Sequence, residues 1–349
     1  MTASGSNGLP AVTRSARQSW GVDGLSLGIS LGGASTAAAW RHTLDWAGLA
    51  ERLGLHSLWL PEMHFAPGVS ASPLVTLAAL ARHTTKLRLA TTSLLLPIHH
   101  PLRIAHDVAA LDHLSGGRVI LGLGRGFRAP LFAAFGLDPS TKRDRFDRSL
   151  DLILASWAGE RIELAGTPFD EVAAHTRDAS VRPHQDPHPP LAVAAFGRKG
   201  LAQAARRALP YLASPVESFD LIRDNLAFHR QAIPAHAEVP EPVVPIMRTV
   251  FVSDDVRTTA RVMAGLEGER RLPRAGAKLP AALSRAVDAP IEDRVLVGGV
   301  AEVTDRLAAY REQLGMNLLV VRPELAGAAR EELEQSLVRL AEEIVPALA

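Results

Sequence analysis

The chain contains no cysteine, and this absence removes several classes of chemistry. None of its 349 residues carries a thiol, so disulfides, thiolate metal sites, iron–sulfur clusters and cysteine nucleophiles are excluded. The net charge is only +1, which leaves no electrostatic footprint for nucleic acid. No apolar run approaches the roughly 20 residues of a membrane span. We therefore expect a cytoplasmic protein without a nucleic-acid or membrane partner.

Several catalytic motifs are also missing. The sequence has no GxSxG of serine hydrolases, no HExxH of zinc proteases and no Walker-type GxxxxGK[ST]. No compact cluster of His, Asp and Glu predicts a metal site. The chain has four lysines against 34 arginines, and only Lys199 stands near the end of a predicted strand. An aldolase or isomerase that depends on a lysine or a metal thus has few candidate residues.

What the sequence does have is a repeated alternation of strand and helix. Such an alternation favours a parallel sheet wrapped by helices. An α/β barrel takes roughly 250 residues or more, so residues 24–349 are expected to form one (β/α)8 TIM barrel with insertions. Periodicity alone does not distinguish a barrel from an open sheet. The eight predicted strands lie near residues 25–31, 57–61, 87–92, 118–123, 191–195, 211–214, 243–252 and 318–321.

Three segments lack this alternation. Residues 1–23 are rich in Ser, Gly and Thr, and we predict a disordered tail there, without the apolar stretch of a secretion signal. Residues 159–190 carry many Pro and His and are interpreted as loops. Residues 266–294 have weak periodicity, which is typical of a lid or a disordered loop.

Polar residues follow the second and third predicted strands. Glu62 and His64 come just after the second strand, where a carboxylate and an imidazole can anchor a substrate or move a proton. Thr91 and Thr92 end the third strand, where small polar residues can line a flat ring. Taken alone, Glu62 and His64 are more typical of a loop in which the carboxylate pairs with an arginine and the histidine bonds the backbone, and Thr91 and Thr92 are more typical of ordinary strand threonines.

Cationic and glycine residues follow the fourth and fifth strands. Arg125 lies between glycines that allow a ligand to approach the backbone, and Arg143 begins the next helix. A basic turn then precedes another helix, and the amino end of a helix favours anions. That turn consists of Gly197, Arg198, Lys199 and Gly200. Because parallel strands bring their carboxyl ends to one rim, we expect all four clusters to meet there around a phosphate, a flat ring and an acid/base group.

At this point the chain resembles the luciferase-like flavin monooxygenases, the superfamily of bacterial luciferase, from about Leu25 to Ile344. The longest matching segment is the most specific, and the last one would be weak alone. The segments are AERLGLHSLWLPEMHF, LRLATTSLLLPIHHPLRIAHDVAALDHLSGGRVILGLGRGF, LFAAFGLDPSTKRDRFDRSLDLIL, VRPHQDPHPPLAVAAFG and VAEVTDRLAAYREQLGMNLLVV.

The resemblance implies a barrel that binds reduced FMN, or the deazaflavin F420 in one branch. It implies O2 and a small organic substrate, a separate flavin reductase and a homodimer. By position, Thr91 and Thr92 match a pair that lies against the isoalloxazine ring and often holds a non-prolyl cis peptide. Arg125 and Arg143 match arginines that hold the flavin phosphate, and residues 197–200 match a second phosphate loop. The stretch 266–294 stands where the family has a mobile active-site loop.

Two positions depart from the family pattern. Met63 stands where the family commonly has the first His of Glu-His-His-Phe, and a thioether cannot transfer a proton. His64, with Glu62, therefore becomes the acid/base candidate. Gly124 stands where the luciferase branch has a reactive cysteine. Both departures favour an oxidoreductase related to luciferase in fold rather than a light-emitting enzyme.

Two alternatives remain open on the same barrel. One is an F420-dependent dehydrogenase or reductase, which would transfer a hydride without oxygen. The other is a flavin-binding protein that has no catalytic activity, because fold alone does not fix function.

Overall fold

In the computed structural model of the chain, nine short strands among the described residues form one curled sheet. The structure describes residues 15–33, 36–65, 70–160, 162, 164, 167, 169, 181–237, 239, 241–271 and 281–349. All strand pairs are parallel, and the order in the sheet is β6-β5-β4-β3-β2-β1-β9-β7-β8. The strands are β1 (Ser26–Ser30), β2 (Ser57–Leu60), β3 (Arg88–Leu95), β4 (Val119–Gly124), β5 (Leu191–Ala194), β6 (Tyr211–Leu212), β7 (Pro245–Val252), β8 (Val295–Gly298) and β9 (Leu318–Val321).

Helices connect the strands and cover the outer face of the sheet. Both faces of the strands are buried, which explains why their sequences are almost continuously apolar. The helices are α1 (Ala16–Trp20), α2 (Ala37–Arg52), α3 (Pro73–His83), α4 (Pro101–Ser115), α5 (Ala129–Ala134), α6 (Lys142–Ala158), α7 (Arg198–Ala205), α8 (Phe219–Ala232), α9 (Val256–Arg271), α10 (Ala281–Asp288), α11 (Val300–Leu314) and α12 (Arg330–Arg339). A π-helical segment, Leu340–Ile344, continues α12. None of the helices in the described part of the chain combines the length and the apolar character that a membrane crossing requires.

The strand register places the loops that follow β2, β3, β4 and β5 at the same edge of the sheet. Leu60 of β2 pairs with Thr91 of β3, and Thr92 pairs with Gly122 of β4. Leu123 of β4 in turn pairs with β5. The residues that follow β2, β3, β4 and β5 therefore lie next to one another, as expected for the carboxyl ends of parallel strands.

The predicted disorder of residues 1–23 is wrong for its second part. Ala16–Trp20 is a helix with a capping box, in which Ser15 and Gln18 each bond the other's backbone N–H. Trp20 is buried among apolar side chains of the strands, together with Trp59. The prediction failed because the segment has few apolar residues, and the one that anchors it, Trp20, did not stand out. Residues 1–14 lie outside the described residues.

The prediction of an irregular stretch at 266–294 is also wrong where the structure describes it. Helix α9 continues to Arg271, and α10 follows from Ala281. Leu283, Ala286 and Val287 of α10 are buried at the spacing of one helical face. A helix of eight residues gives too short a pattern to stand out among Arg, Pro and Ala, and β8 directly after it was not predicted. Residues 272–280, and most of 161–180 in the predicted loop region, lie outside the described residues.

Candidate active site

A cavity of about 570 Å³ lies at the carboxyl ends of β2 to β5. Every predicted site residue except Thr91 lines it, so residues far apart in the chain share one space. The lining residues include Glu62, Met63, His64, Phe65, Thr92, Ser93, Gly124, Arg125, Phe127, Arg128, Lys142, Arg143, Gly197, Arg198, Lys199 and Gly200.

Glu62 joins two imidazoles in the wall of this cavity. Its Oε1 atom lies 2.8 Å from Nε2 of His64 and 2.7 Å from Nε2 of His99, while Oε2 accepts the N–H of Leu95 at 2.6 Å. Burial alone would raise the pKa of Glu62. The hydrogen bonds and the charge of His99, with the bonds from Leu95 and His64, outweigh that effect and hold the pKa below its ordinary value. Glu62 is thus an ionised acceptor at neutral pH.

Sequence reasoning gave His99 no place in the site. The signal was present, because His99 follows β3 and Glu62 follows its neighbour β2, so their loops begin at adjacent strand ends. The predicted end of this strand at residue 92 concealed it. The strand extends to Leu95, and this extension brings the Leu95 N–H and then His99 to the carboxylate.

His64 is enclosed by rings as well as by Glu62. The ring of Phe135 meets it edge-on at 5.2 Å, and Phe65 lies 5.7 Å away, measured between ring centroids. Because Nε2 faces Glu62, the Nδ1 atom is the nitrogen left for another partner. The neighbouring Met63 is exposed at the same cavity.

The β3 residues that line the cavity, and the non-prolyl cis peptide bond between them, lie one position later in the chain than predicted. Thr91 is fully buried, and its hydroxyl donates to the carbonyl oxygen of Gly122 at 2.9 Å. Successive strand residues point to opposite faces, so Thr92 lines the cavity and Thr91 does not. The cis peptide bond joins Thr92 to Ser93 rather than Thr91 to Thr92. Ser93 also lines the cavity.

Gly124 lies against this cis peptide segment. A Cβ atom at position 124 would collide with the Ser93 hydroxyl. A larger residue, such as the cysteine of the luciferase branch, would require Ser93 to move. The glycine at this position is therefore explained by close packing of β4 on β3.

Arg125, Lys142 and Arg143 form a cation cluster in the lining of the same cavity. The Arg125 guanidinium lies directly over Gly200, where any Cβ would collide with it. Burial and the neighbouring Arg143 lower the pKa of Arg125. Burial, Arg143 and Arg125 likewise lower the pKa of Lys142. The cluster is thus in mutual repulsion, which an anion would relieve.

A buried glutamine fixes the position of this cluster. Gln203 of α7 accepts a bond from the Arg125 guanidinium at 3.3 Å and donates to the Arg143 carbonyl oxygen at 3.1 Å. One amide therefore ties β4, α6 and α7 together. Neither Lys142 nor Gln203 was predicted from the sequence.

All four residues of the basic turn line the cavity. Gly197 precedes α7 and carries no side chain that could cap the helix, so the amino end with its partial positive charge borders the cavity. The Arg198 guanidinium lies 4.3 Å from the centroid of the Phe228 ring on α8. Its charge therefore packs on an aromatic face. Within the described residues, no three His, Asp or Glu side chains are arranged to hold a metal ion.

Comparison with known proteins identifies a family pattern over most of the chain. The sequence model of the luciferase-like monooxygenases matches residues 24–317. The protein y4wF of Sinorhizobium fredii is 36% identical over 163 residues, which cover 46% of this chain and 47% of that protein. This chain thus aligns with about half the length of that relative.

The names of two further relatives include a redox cofactor. The oxygenase component of a flavin-dependent trigonelline monooxygenase from Acinetobacter baylyi is 26% identical, covering 86% of this chain and 88% of that protein. An F420-dependent glucose-6-phosphate dehydrogenase from Amycolatopsis mediterranei is 30% identical, covering 61% of this chain and 64% of that protein.

Solved structures share the fold over nearly the whole chain. Monooxygenase RslO1 from Streptomyces bottropensis has a TM-score of 0.79 at 26% identity, covering 93% of this chain and all of that one. The oxygenating constituent of 3,6-diketocamphane monooxygenase from Pseudomonas putida, solved with FMN, has a TM-score of 0.75. Its 21% identity, over 94% of this chain and 99% of that one, supports the fold alone.

Proposed function

The chain belongs to the luciferase-like monooxygenase family, and on that premise we propose that it is a flavin-dependent monooxygenase that uses reduced FMN and O2 on a small organic substrate. One observation carries this proposal. A cation cluster and an imidazole held by an ionised carboxylate share a single cavity at the carboxyl ends of adjacent strands. An anion anchor and a proton-transfer group in one cavity are what a phosphorylated redox cofactor requires.

The residues present fit FMN. The cavity volume lies within the roughly 300–1,000 Å³ of cofactor pockets. The phosphate would be held by Arg125, Lys142 and Arg143 with the amino end of α7, where the repulsion among the cations already favours an anion. The ring would lie near Thr92 and Ser93. Thr91, which the resemblance placed against the ring, is left out because its side chain is buried elsewhere.

When bound, reduced FMN would supply the electrons that activate O2. The chain's own residues would bind the cofactor, orient His64 and transfer protons. His64 would transfer a proton through Nδ1, since its Nε2 faces Glu62. Glu62 is saturated by its hydrogen bonds and ionised, so it orients His64 rather than carrying the proton itself. His99 would hold Glu62 in place.

An F420-dependent reductase remains the second candidate, because a relative that covers 61% of this chain uses that cofactor. Titration of the purified protein with FMN and with F420, followed by flavin or deazaflavin fluorescence, separates the two. We expect binding of reduced FMN and O2 consumption when a reductase and substrate are supplied. Preference for F420, with hydride transfer in the absence of O2, would replace this proposal. FMN binding without O2 consumption for any substrate would identify a non-catalytic flavin-binding protein.

A separate flavin reductase is the partner we propose. The trigonelline enzyme is described as an oxygenase component, which supports a two-component system for this chain as well. A homodimer and a cytoplasmic location stay predictions from the sequence.

We further infer that the sheet closes into an eight-stranded barrel with β8 outside it. Support comes from a parallel bridge between Ala213, just after β6, and Ile246 of β7. Ala213 accepts the N–H of Met247 at 3.0 Å and donates to the Pro245 carbonyl oxygen at 3.2 Å. The second half of β7 pairs with β8, while its first half pairs with β9.

A further inference from the structure

We propose that the cavity selects an uncharged, apolar ring compound as its substrate, held by an apolar mouth that consists of Met63, Phe65, Phe127 and Phe135. This inference rests on the proposed function. The four side chains are 43%, 69%, 37% and 40% exposed. Three of them line the cavity, and Phe135 packs against Phe65 at a centroid distance of 6.1 Å.

Exposed apolar side chains are concentrated at this one place. Among the described residues seven large apolar side chains are exposed, and four of them form the apolar mouth. The other three, Val75, Leu114 and Val256, belong to three different helices. All the exposed phenylalanines of the described chain are at the mouth. A cluster of this kind marks a ligand site better than scattered single residues do.

Phe65 has a backbone conformation that folding does not favour. Its φ angle is +58°, in the left-handed region that disfavours bulky side chains. Because the side chain is mostly exposed, core packing does not compensate for the cost. Such outliers are concentrated at binding sites, where ligand contacts explain them. Phe65 is thus held where a bound ring would cover it.

The apolar mouth adjoins the proton-transfer group. The Phe135 ring packs edge-on against His64, and Phe65 lies on the same imidazole. A ring compound packed on these phenylalanines would therefore lie beside His64. Offset and edge-to-face ring contacts add attraction beyond burial of area.

The charges of the cavity exclude ionic substrates. Among the described lining residues Glu62 is the only carboxylate, and its oxygens are already bonded to two imidazoles and a backbone N–H. The cationic lining residues are Arg125, Arg128, Lys142, Arg143, Arg198 and Lys199. A cationic substrate would be repelled by this excess. An anionic one would compete with the cofactor phosphate for the same cluster.

The test compares three ligands that share one ring system. They are 2-naphthalenemethanol, 2-naphthoate and 2-naphthylmethylammonium, each titrated into the FMN-loaded protein by calorimetry. We expect the neutral alcohol to bind at least about tenfold more tightly than either ion. Equal or tighter binding of an ion would overturn the inference. FMN affinity is measured first, so a failure to bind FMN would count against the proposed function and not against the choice of substrate.

Variants locate the ligand at the apolar mouth. Phe65→Ala and Phe135→Ala should weaken binding of the alcohol about fivefold or more, with FMN affinity and Tm close to those of the parent protein. Leu114→Ala is the matched control, since it removes an exposed apolar side chain from α4. If the two phenylalanine variants bind the alcohol as the control does, the apolar mouth is not the substrate site.

Discussion

At the residue scale, the main feature of the site is that one carboxylate oxygen serves two imidazoles. His64 and His99 both approach Oε1 of Glu62. The low pKa of Glu62 keeps this oxygen charged near neutral pH. The proton transfer proposed for His64 would therefore depend, through Glu62, on His99, which is not among the residues that line the cavity.

Removal of His99 should lower turnover without weakening FMN binding. His99→Ala deletes one donor to Glu62, and we expect kcat to fall about tenfold, near 1.4 kcal/mol, with a changed pH profile. His99→Asn keeps a side-chain N–H donor and should restore much of the activity. His100→Ala is the control, since the adjacent imidazole packs on Phe169 instead. Equal activity of the His99 and His100 alanine variants would contradict the positioning role.

The cation cluster gives a second prediction at this scale. Arg125→Ala should weaken FMN binding at least about tenfold, near 1.4 kcal/mol, in a fluorescence titration. Gly200→Ala should also weaken it while keeping every charge, because the new methyl group displaces the Arg125 guanidinium. Gly268→Ala on α9, where a Cβ meets open space, is the control. Unchanged FMN affinity in Arg125→Ala would remove this residue from the site.

At the element scale, hydrogen bonds from the side chains of one element fix the position of the next element. Glu51 near the end of α2 accepts the N–H groups of Thr85, Lys86 and Leu87 and the Thr85 hydroxyl. These residues form the turn that leads into β3. Burial would raise the pKa of Glu51, but the hydrogen bonds together lower it from 4.5 to about 2.

This shift makes stability dependent on pH in the acid range. Because the folded-state pKa is depressed, ionised Glu51 stabilises the fold above pH 4.5, and the stabilisation is lost as the pH falls from 4.5 towards 2. Thermal unfolding of Glu51→Gln should therefore show a lower Tm than the parent at neutral pH. The difference should shrink on acidification. Glu312→Gln, at an exposed carboxylate of α11, should not show this behaviour, and parallel Tm–pH curves for the parent and Glu51→Gln would refute the linkage.

The sequence predicted the positions of most strands well and the short helices poorly. Strand β9 occurs as predicted, and the Gly116 stop of α4 has the expected left-handed conformation. The long apolar runs carry enough signal for a strand buried on both faces. Helix α1 carries too few residues for a periodic pattern. Strand β8 is as long as β9, but it follows the stretch rich in Arg, Pro and Ala that was interpreted as irregular. Thr91 was misplaced because alternation in β3 can be counted only once its register is known.

At the scale of the whole molecule, the curled sheet brings the residues that follow four different strands together in one site. Family and cofactor class were predicted from the residues after four strands, and the family match over residues 24–317 confirms the family. His99 was missed because the end of β3 was predicted at residue 92. Lys142 and Gln203 were not predicted, because their contacts depend on how helices pack on the sheet. No local pattern encodes those contacts.

Helix α1, which precedes β1, contributes to the stability of the whole fold through Trp20. Trp20 is buried with Trp59 and other strand side chains, and its carbonyl oxygen lies 2.9 Å from Nε2 of His56. Trp20→Ala should reduce the free energy of unfolding by about 3–5 kcal/mol, because it leaves a large cavity in the core. Chemical denaturation measures this change. A loss below about 1 kcal/mol, as for an exposed residue, would show that α1 is dispensable.

The clustered positive charge of Arg125, Lys142 and Arg143 makes the empty protein sensitive to its buffer. Inorganic phosphate or sulfate can quench that repulsion without any flavin, so melting curves recorded in phosphate and in a neutral zwitterionic buffer are expected to diverge. In a cell short of flavin, the same repulsion would make the protein without cofactor more prone to unfolding and proteolysis than the flavin-bound protein. Cofactor supply would then govern how much of the protein persists, as well as how much of it works.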